Sequence, residues 1–480
     1  MEKKSSQVFS NLIWRFMERI GAQLVSFVVT LVLARILNPD AYGTVALINV
    51  IIIILQVFVD SGLANALIQK KEVDEIDYST VFYTNVIFCT ILYIGLFLLA
   101  PYIAAYYLDD SLTILIRVVG ITIVISGVKN VQQAYVSRNM LFKHFFYATL
   151  SGTILAGVIG VAMALNGLGV WALVAQQVIN MTVDTMVLWL TVSWRPQKVF
   201  SLSRLKSLYS YGWKLLASAL LDTVYQNLRQ LIIGKMYSTS DLAFYNKGKQ
   251  FPELVINNVN TSIDSVLLPA MSSEQDKREN VKAMTRRAMQ VSTYVMAPLL
   301  MGLFCVSPSV IKLLLTEKWL PCVPYIRIFC VIYMFYPIHT ANLNAIKAMG
   351  RSDIFLKLEI IKKILGCIIL IVTMWYGPMI MALGLLFGSF CSQVINTWPN
   401  RELLCYSYRE QMRDILPNLL QAFIMSVCVL SASNIAISEI TKLLLQIGIG
   451  MVVYLGLSVF LKNSSLDYLY RLLKPFVYKG

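Results

Sequence analysis

Two sets of polar and charged residues recur at three- and four-residue steps inside long apolar stretches. The first is Arg15, Glu18, Arg19, Gln23 and Ser26; the second is Lys214, Ser218, Asp222, Gln226 and Arg229. That spacing lays each set along one face of a helix. Guanidinium and ammonium groups offer charge-assisted donors to an anion, and a carboxylate beside them can exchange a proton or hold a cation. A charge at the centre of a bilayer costs roughly 2.5–3.5 kcal/mol on insertion scales. Stripes of this kind do not persist facing lipid, so they should face a wet cavity.

The elements that carry the stripes belong to a membrane. The chain has 480 residues, 57% hydrophobic and 14% charged, with a mean hydropathy of +0.66. Soluble domains carry about 25% charged residues. A large soluble helical protein would need polar surface that this chain lacks. Apolar segments long enough for a ~30 Å hydrocarbon core recur throughout. They lie at about 10–37, 42–69, 78–107, 112–137, 145–166, 168–194, 209–237, 242–271, 284–307, 322–349, 354–375, 378–400, 415–436 and 441–461. The expectation is an all-α polytopic membrane protein with about fourteen transmembrane helices. The opening MEKKSSQ has no small-residue cleavage site after it, so the first segment reads as an uncleaved span.

The links alternate. NPD (38–40), LDDS (108–111), NG (166–167), STSD (238–241) and YGP (376–378) are short and nearly free of basic residues. The other links carry Lys70, Arg138, Lys143, Arg195, Arg204, Lys277, Arg286, Arg351, Arg401 and Arg409, and the tail adds Arg471 and Lys474. The positive-inside rule places the basic set, and with it both termini, in the cytoplasm. The net charge of +15 is therefore a topology signal and not a nucleic-acid signal. The stretches 195–213 and 273–290 and the tail interleave apolar residues with charges; each reads as an amphipathic surface segment or as a solvated loop. Eight cysteines with no CxxC pair, of which Cys89, Cys367 and Cys391 lie in spans, read as core residues rather than disulfides or metal ligands. Two histidines, His144 and His339, make no metal site. No cofactor is expected.

The chain repeats itself. YIRIFCVIYMF (325–335) resembles LIRVVGITIVI (115–125) at an offset of about 210 residues, which also aligns Gly167 with Gly377. LNPDAYG (37–43) matches STSDLAFYN (238–246) at a shift of about 203, which lays Gln23 on Gln226 and Arg19 on Asp222. Six helices per repeat is an even number, so the halves share one orientation, as in parallel transporter repeats. The expected organisation is an N-terminal six-helix lobe over 1–194 and an amphipathic cytoplasmic linker over 195–213. A C-terminal six-helix lobe follows over 209–400, then an extra helix pair and basic tail over 401–480. The stripes would then face each other across the repeat axis.

LARILNPDAYG with VDSGLANALIQK (59–70), IGKMYSTSDLAFYNKG (233–248), LLPAMS (267–272), LLLTEKW (313–319) and NAIKAMGRSD (344–353) resemble, in order and spacing, the polysaccharide and oligosaccharide flippases of the MOP superfamily. The resemblance covers essentially the whole chain. It implies two six-helix lobes in a V, a central cavity, alternating access and a cargo of undecaprenyl pyrophosphate-linked sugar moved across the bacterial cytoplasmic membrane. It also implies a role in making O-antigen, capsule or exopolysaccharide, with a polysaccharide polymerase as a potential partner.

On that reading Arg15, Arg19, Gln23, Lys214, Gln226 and Arg229 bind substrate, the cations attracting the pyrophosphate. The alternative is an internal ion-pair network, with Glu18 on Arg15 or Arg19 and Asp222 on Arg229 or Lys214. Candidates for coupling to H⁺ or Na⁺ are Glu18, Asp60, Asp222 and Asp264; Asp60 and Asp264 nearly coincide under the repeat. Asp184 and Glu253 are further acids in spans, and Lys129, Lys347 and His339 lie in equivalent helices. His339 reads foremost as a satisfied core histidine, Lys347 as a snorkelling one. Trp14, Trp194, Trp213 and Trp319 read as interface belts. Tyr225, Tyr245 and Tyr336 read as belt or core residues, with stacking on sugars as the alternative. No GxxxxGK(S/T) loop is present, so nucleotide does not drive transport. A membrane polymerase or glycosyltransferase would need larger outer loops. A drug or cation antiporter of the same superfamily should have a less basic cavity.

Overall fold

A computed structural model describes the backbone of residues 2–60, 63, 67–68, 70, 72–435 and 437–477. Within these, the side chains at 2–13, 15–16, 19, 207–212, 214–215, 258, 261–262, 434, 472–473 and 475–477 lie outside the described set. The regular structure is helical. In hydrocarbon a backbone N–H or C=O has no water to bond, and a helix satisfies all of them within one segment.

By contacts the described chain forms two compact units, Met1–Ala243 and Phe244–Gly480. The first holds α1 (Glu2–Ile36), α2 (Pro39–Asp60), α3 (Glu75–Tyr107), α4 (Ser111–Arg138), α5 (Phe142–Leu165), α6 (Val170–Thr191) and α7 (Leu202–Met236). The helix α8 (Thr239–Ser272) begins in the first unit and continues in the second. The second unit adds α9 (Arg278–Leu314), α10 (Val323–Met334), α11 (Tyr336–Ala348), α12 (Ser352–Thr373), α13 (Pro378–Thr397), the single turn α14 (Asn400–Leu403), α15 (Tyr408–Ser431), α16 (Glu439–Phe460) and α17 (Ser464–Val477).

Each expected span overlaps a helix, that over 42–69 being matched by α2 only to Asp60, with residues 61–62, 64–66 and 69 outside the described set. Among the described residues, ten helical segments are long and apolar enough to cross a membrane. The long helices outside that set are α1, α7, α8 and α12. The first two bear the polar stripes, and α12 carries Lys357, Glu359, Lys362 and Lys363 in its first turns. The span expected over 322–349 is broken: α10 ends at Met334 and α11 starts at Tyr336, where Pro337 has no N–H to continue the ladder. The turns at Gly167 and Gly377, aligned by the repeat, both take positive φ, 77° and 107°.

In the first unit α1 packs on α5, α3 and α6 pack on α4, and α2 packs on α4 and α7. In the second, α9 packs against α10, α11, α15 and α16, and α12 packs on α13. The helix pair outside the repeat is fastened to α9: the Tyr454 hydroxyl donates to the Tyr294 carbonyl at 2.7 Å, and Asn418 donates to that of Gln290 at 2.9 Å.

The basic stretch 195–213 is not one amphipathic segment. Residues before α7 lie as a strap on the start of α3. The Gln197 N–H donates to Ser79 Oγ at 3.0 Å and the Ser201 N–H to Thr80 Oγ1 at 3.1 Å. The remainder forms the first turns of α7. Most of 273–290 likewise becomes the first turns of α9. The α3 start that receives the strap is a capping box: Asp74 accepts from the Asp77 N–H at 2.9 Å and Asp77 from that of Asp74 at 3.3 Å. That backbone bond, with Arg204 at 3.1 Å, holds the Asp74 carboxyl below its ordinary range.

On the opposite face the two turns matched by the repeat touch. Asp40 accepts from Thr239 Oγ1 at 3.1 Å and Ser240 Oγ at 2.5 Å. A Cβ on Gly43 would stand 1.7 Å from the Thr239 carbonyl oxygen. Only glycine allows this approach of α2 to the first residue of α8. Gly43→Ala should therefore lower the thermal unfolding midpoint in detergent, by the equivalent of about 1–3 kcal/mol. An unchanged midpoint would show that the turns separate at no energetic cost.

Candidate functional site

Of the first stripe, Glu18 is half-buried and accepts from Thr149 Oγ1 of α5 at 3.5 Å, while Gln23 and Ser26 are exposed. The side chains of Arg15, Arg19 and Lys214 lie outside the described residues. The second stripe runs along α7. Gln226 Nε2 donates to Asp222 Oδ2 at 2.6 Å, and Gln230 donates to Asn227 Oδ1 at 3.0 Å beside them. One turn beyond, Arg229 is 7% exposed. It makes no ion pair among the described residues, and its buried Nε has no hydrogen-bond partner. Asp222 therefore does not neutralise Arg229 directly.

This guanidinium is the notable group of the site. A buried charge lacking both a counter-ion and full hydrogen bonding costs several kcal/mol, and such groups persist where a ligand supplies what is missing.

Gln56 donates to Asp60 at 3.2 Å, four residues apart on one helix, as Gln226 does to Asp222. In the second unit Asn344 Nδ2 donates to Asp264 at 2.6 Å, and Thr340 to Asn260 at 3.0 Å. The two repeat-related acids thus have different partners, a glutamine on their own helix and an asparagine from α11.

One pair escaped the sequence reading. Lys129 Nζ of α4 meets Asp184 Oδ2 of α6 at 2.5 Å, with side chains 10% and 13% exposed. The neighbouring Asn130 Nδ2 donates to the carbonyl of Val59, the residue before Asp60, at 2.7 Å. Both partners of the pair stood out as charges in spans. Their being opposite each other depends on how α4 and α6 are rotated, which periodicity in either helix leaves open. The first unit therefore carries acid, base and acid (Asp184, Lys129, Asp60) across three helices.

Other expected residues turn out to be core. Tyr245 is buried against Tyr325 and Phe329, with ring centroids 5.9 and 5.4 Å away. Trp194 and Trp319 are buried rather than at a belt; Trp194 Nε1 donates to Glu75 at 2.8 Å. His339 bonds Asn396 at 2.9 Å through Nδ1, as a satisfied core histidine would. Tyr336 is 40% exposed and packs edge-on against His339. Lys347 lies over the Phe355 ring at 4.6 Å.

The fold defines a polytopic, all-α membrane protein. The chain superposes on the lipid II flippase MurJ in its inward closed conformation with a TM-score of 0.75, at 15% identity, over 95% of this chain and 99% of that one. On an inward-facing MATE multidrug transporter the TM-score is 0.61 at 16% identity, over 79% and 94%. The profile of the polysaccharide biosynthesis protein family matches residues 32–324, and the chain belongs to that family. Among its relatives are the lipopolysaccharide biosynthesis protein WzxC of Escherichia coli, 24% identical over 85% of this chain and 81% of that one, and the teichuronic acid biosynthesis protein TuaB of Bacillus subtilis, 22% identical over 74% of each.

The Lys129–Asp184 pair gives a direct check on the packing of the first unit. Removing one partner strands the other charge, at a cost of about 3–5 kcal/mol. Lys129→Ala should thus lower the unfolding midpoint more than the double change Lys129→Ala with Asp184→Ala. Additive losses in thermal melts would mean that the two side chains do not interact.

Proposed function

We propose that this protein flips a polyprenyl-pyrophosphate-linked oligosaccharide from the inner to the outer leaflet of the bacterial cytoplasmic membrane, for assembly of a surface polysaccharide. The observation that carries the reading is Arg229, a buried cation with no counter-ion among the described residues. A pyrophosphate leaving water needs charge-assisted donors, and the planar guanidinium fork meets phosphate oxygens two at a time. The relatives WzxC and TuaB bear on the cargo class through the polysaccharides in their names.

Arg229 holds the anionic head while the polyprenyl tail stays in lipid. Arg15, Arg19 and Lys214 extend the cationic path along α1 and α7, with Gln23 and Gln226 on the same faces. The site changes access from one leaflet to the other, driven by an ion gradient or by downhill flow of the lipid. Asp222, tied to Gln226 beside Arg229, is the favoured site of coupling to H⁺ or Na⁺; Glu18, Asp60 and Asp264 are the further candidates. Both termini lie in the cytoplasm, and a polysaccharide polymerase takes the delivered unit on the outer side.

The test is complementation of a flippase-deficient strain, with immunoblots to confirm equal amounts of protein in the membrane. Losing a charge-assisted contact of about 1.5–3 kcal/mol should lower surface polysaccharide roughly tenfold or more in Arg229→Ala, with part recovered in Arg229→Lys. Full polysaccharide from Arg229→Ala at normal protein levels would overturn the role assigned to it.

A further inference from the structure

A cavity of about 380 Å³ opens where the chain leaves α13 and enters α15. It is lined by Val394, Trp398, Arg401, Ser407, Tyr408 and Arg409, with Thr397 behind them. The helical segments Pro378–Leu403 and Tyr408–Ser431 that flank it are both long and apolar enough to span a membrane, so the cavity sits at one membrane face.

Two arginines share this cavity, and neither makes an ion pair among the described residues. Nearby acids are already engaged: Glu410 by Lys282 at 3.1 Å, and Asp414 by Arg286 and by the Tyr406 hydroxyl, the latter at 2.7 Å. Glu402 in α14 is exposed and makes no ion pair. Like charges in one cavity repel, and an anion between them removes the repulsion. The start of the 24-residue α15 adds its positive end. Ser407 uses its hydroxyl to cap that helix, accepting from the Glu410 N–H at 3.3 Å.

The wall is preformed. Thr397 Oγ1 donates to the Gln393 carbonyl at 2.8 Å. Gln411 and Asn342 exchange side-chain bonds of 2.8 and 3.0 Å, and Asn400 donates to Asn342 Oδ1 at 2.6 Å. All of these side chains are buried. The rim is different: Trp398 is 66% and Val394 44% exposed. An exposed tryptophan beside arginines suits the layer where acyl chains meet headgroups.

We propose that this cavity seats the phosphoryl headgroup of an anionic membrane lipid, held by Arg401 and Arg409, with its acyl chains against Trp398 and Val394. The proposal is independent of the cargo and of Arg229.

Trp398 provides the probe. The full chain is reconstituted in vesicles containing either brominated phosphatidylglycerol or brominated phosphatidylcholine, and quenching at Trp398 is isolated by comparison with Trp398→Phe. The expected result is preferential quenching by the phosphatidylglycerol. The preference should fall about tenfold in Arg401→Gln with Arg409→Gln and persist in Arg351→Gln, whose arginine is paired with Asp353. Equal quenching of the unaltered protein by the two lipids overturns the proposal, whatever the variants do. So does a preference that survives the double change. Inorganic phosphate added at saturation should leave the preference in place; its abolition would mean that the site takes a free phosphoryl anion and not a lipid.

Discussion

Everything in this molecule depends on the absence of water from the bilayer interior. That constraint forces the backbone into helices, and it makes each charge within a span a problem with few solutions. Lys129 and Asp184 solve it by meeting at 2.5 Å across two helices. Asp264 does so through Asn344. Arg229 is left with a buried nitrogen that nothing bonds. Other buried polar atoms, such as Trp189 Nε1 and Gln132 Oε1, also lack a partner, but among them only Arg229 belongs to a charged group.

The division of labour among helices follows from the same constraint. Among the ten apolar segments, α2, α4 and α6 carry Asp60, Lys129 and Asp184, and the last two of these pair with each other. Helix α1 contributes the shorter apolar stretch Ile20–Ile36, and it and α7 each bear a polar stripe. They mix exposed Gln23, Ser26 and Gln226 with half-buried Glu18 and Asp222. The repeat places these two helices in corresponding positions, yet one carries Arg19 where the other has Asp222. The second stripe thus holds a buried cation, Arg229, and an acid, Asp222, on one helix.

Much of the fold was legible in the sequence because hydrophobic length and basic links are local properties. Apolar runs located the long helices, and the turns at Gly167 and Gly377 were marked by the repeat. The break at Phe335 was missed because the apolar run passes through it, although Pro337 was there to be read. The linker at 195–213 was misjudged because its anchors, Ser79 and Thr80, lie more than a hundred residues away. For the site, the stripe spacing placed Asp222, Gln226 and Arg229 on one helix face. The depth of Arg229 and the partnership of Lys129 depend on helix rotation, which a single sequence leaves free. Trp319 was read as a belt residue from its place near a span end, and packing put it in the core, where Tyr245 took the core alternative of its reading.

The contact of Asp40 with Thr239 and Ser240 joins one carboxylate to two hydroxyls, with no cation in it. Ion pairs on a protein surface weaken as salt rises, since mobile ions screen them within about 10 Å at 0.1 M. A contact built from hydroxyl donors and a glycine-sized gap has little for those ions to screen. That contact should thus hold nearly independently of ionic strength, whereas the bridges of Arg204 to Asp74, Lys282 to Glu410 and Arg286 to Asp414 should weaken as salt rises.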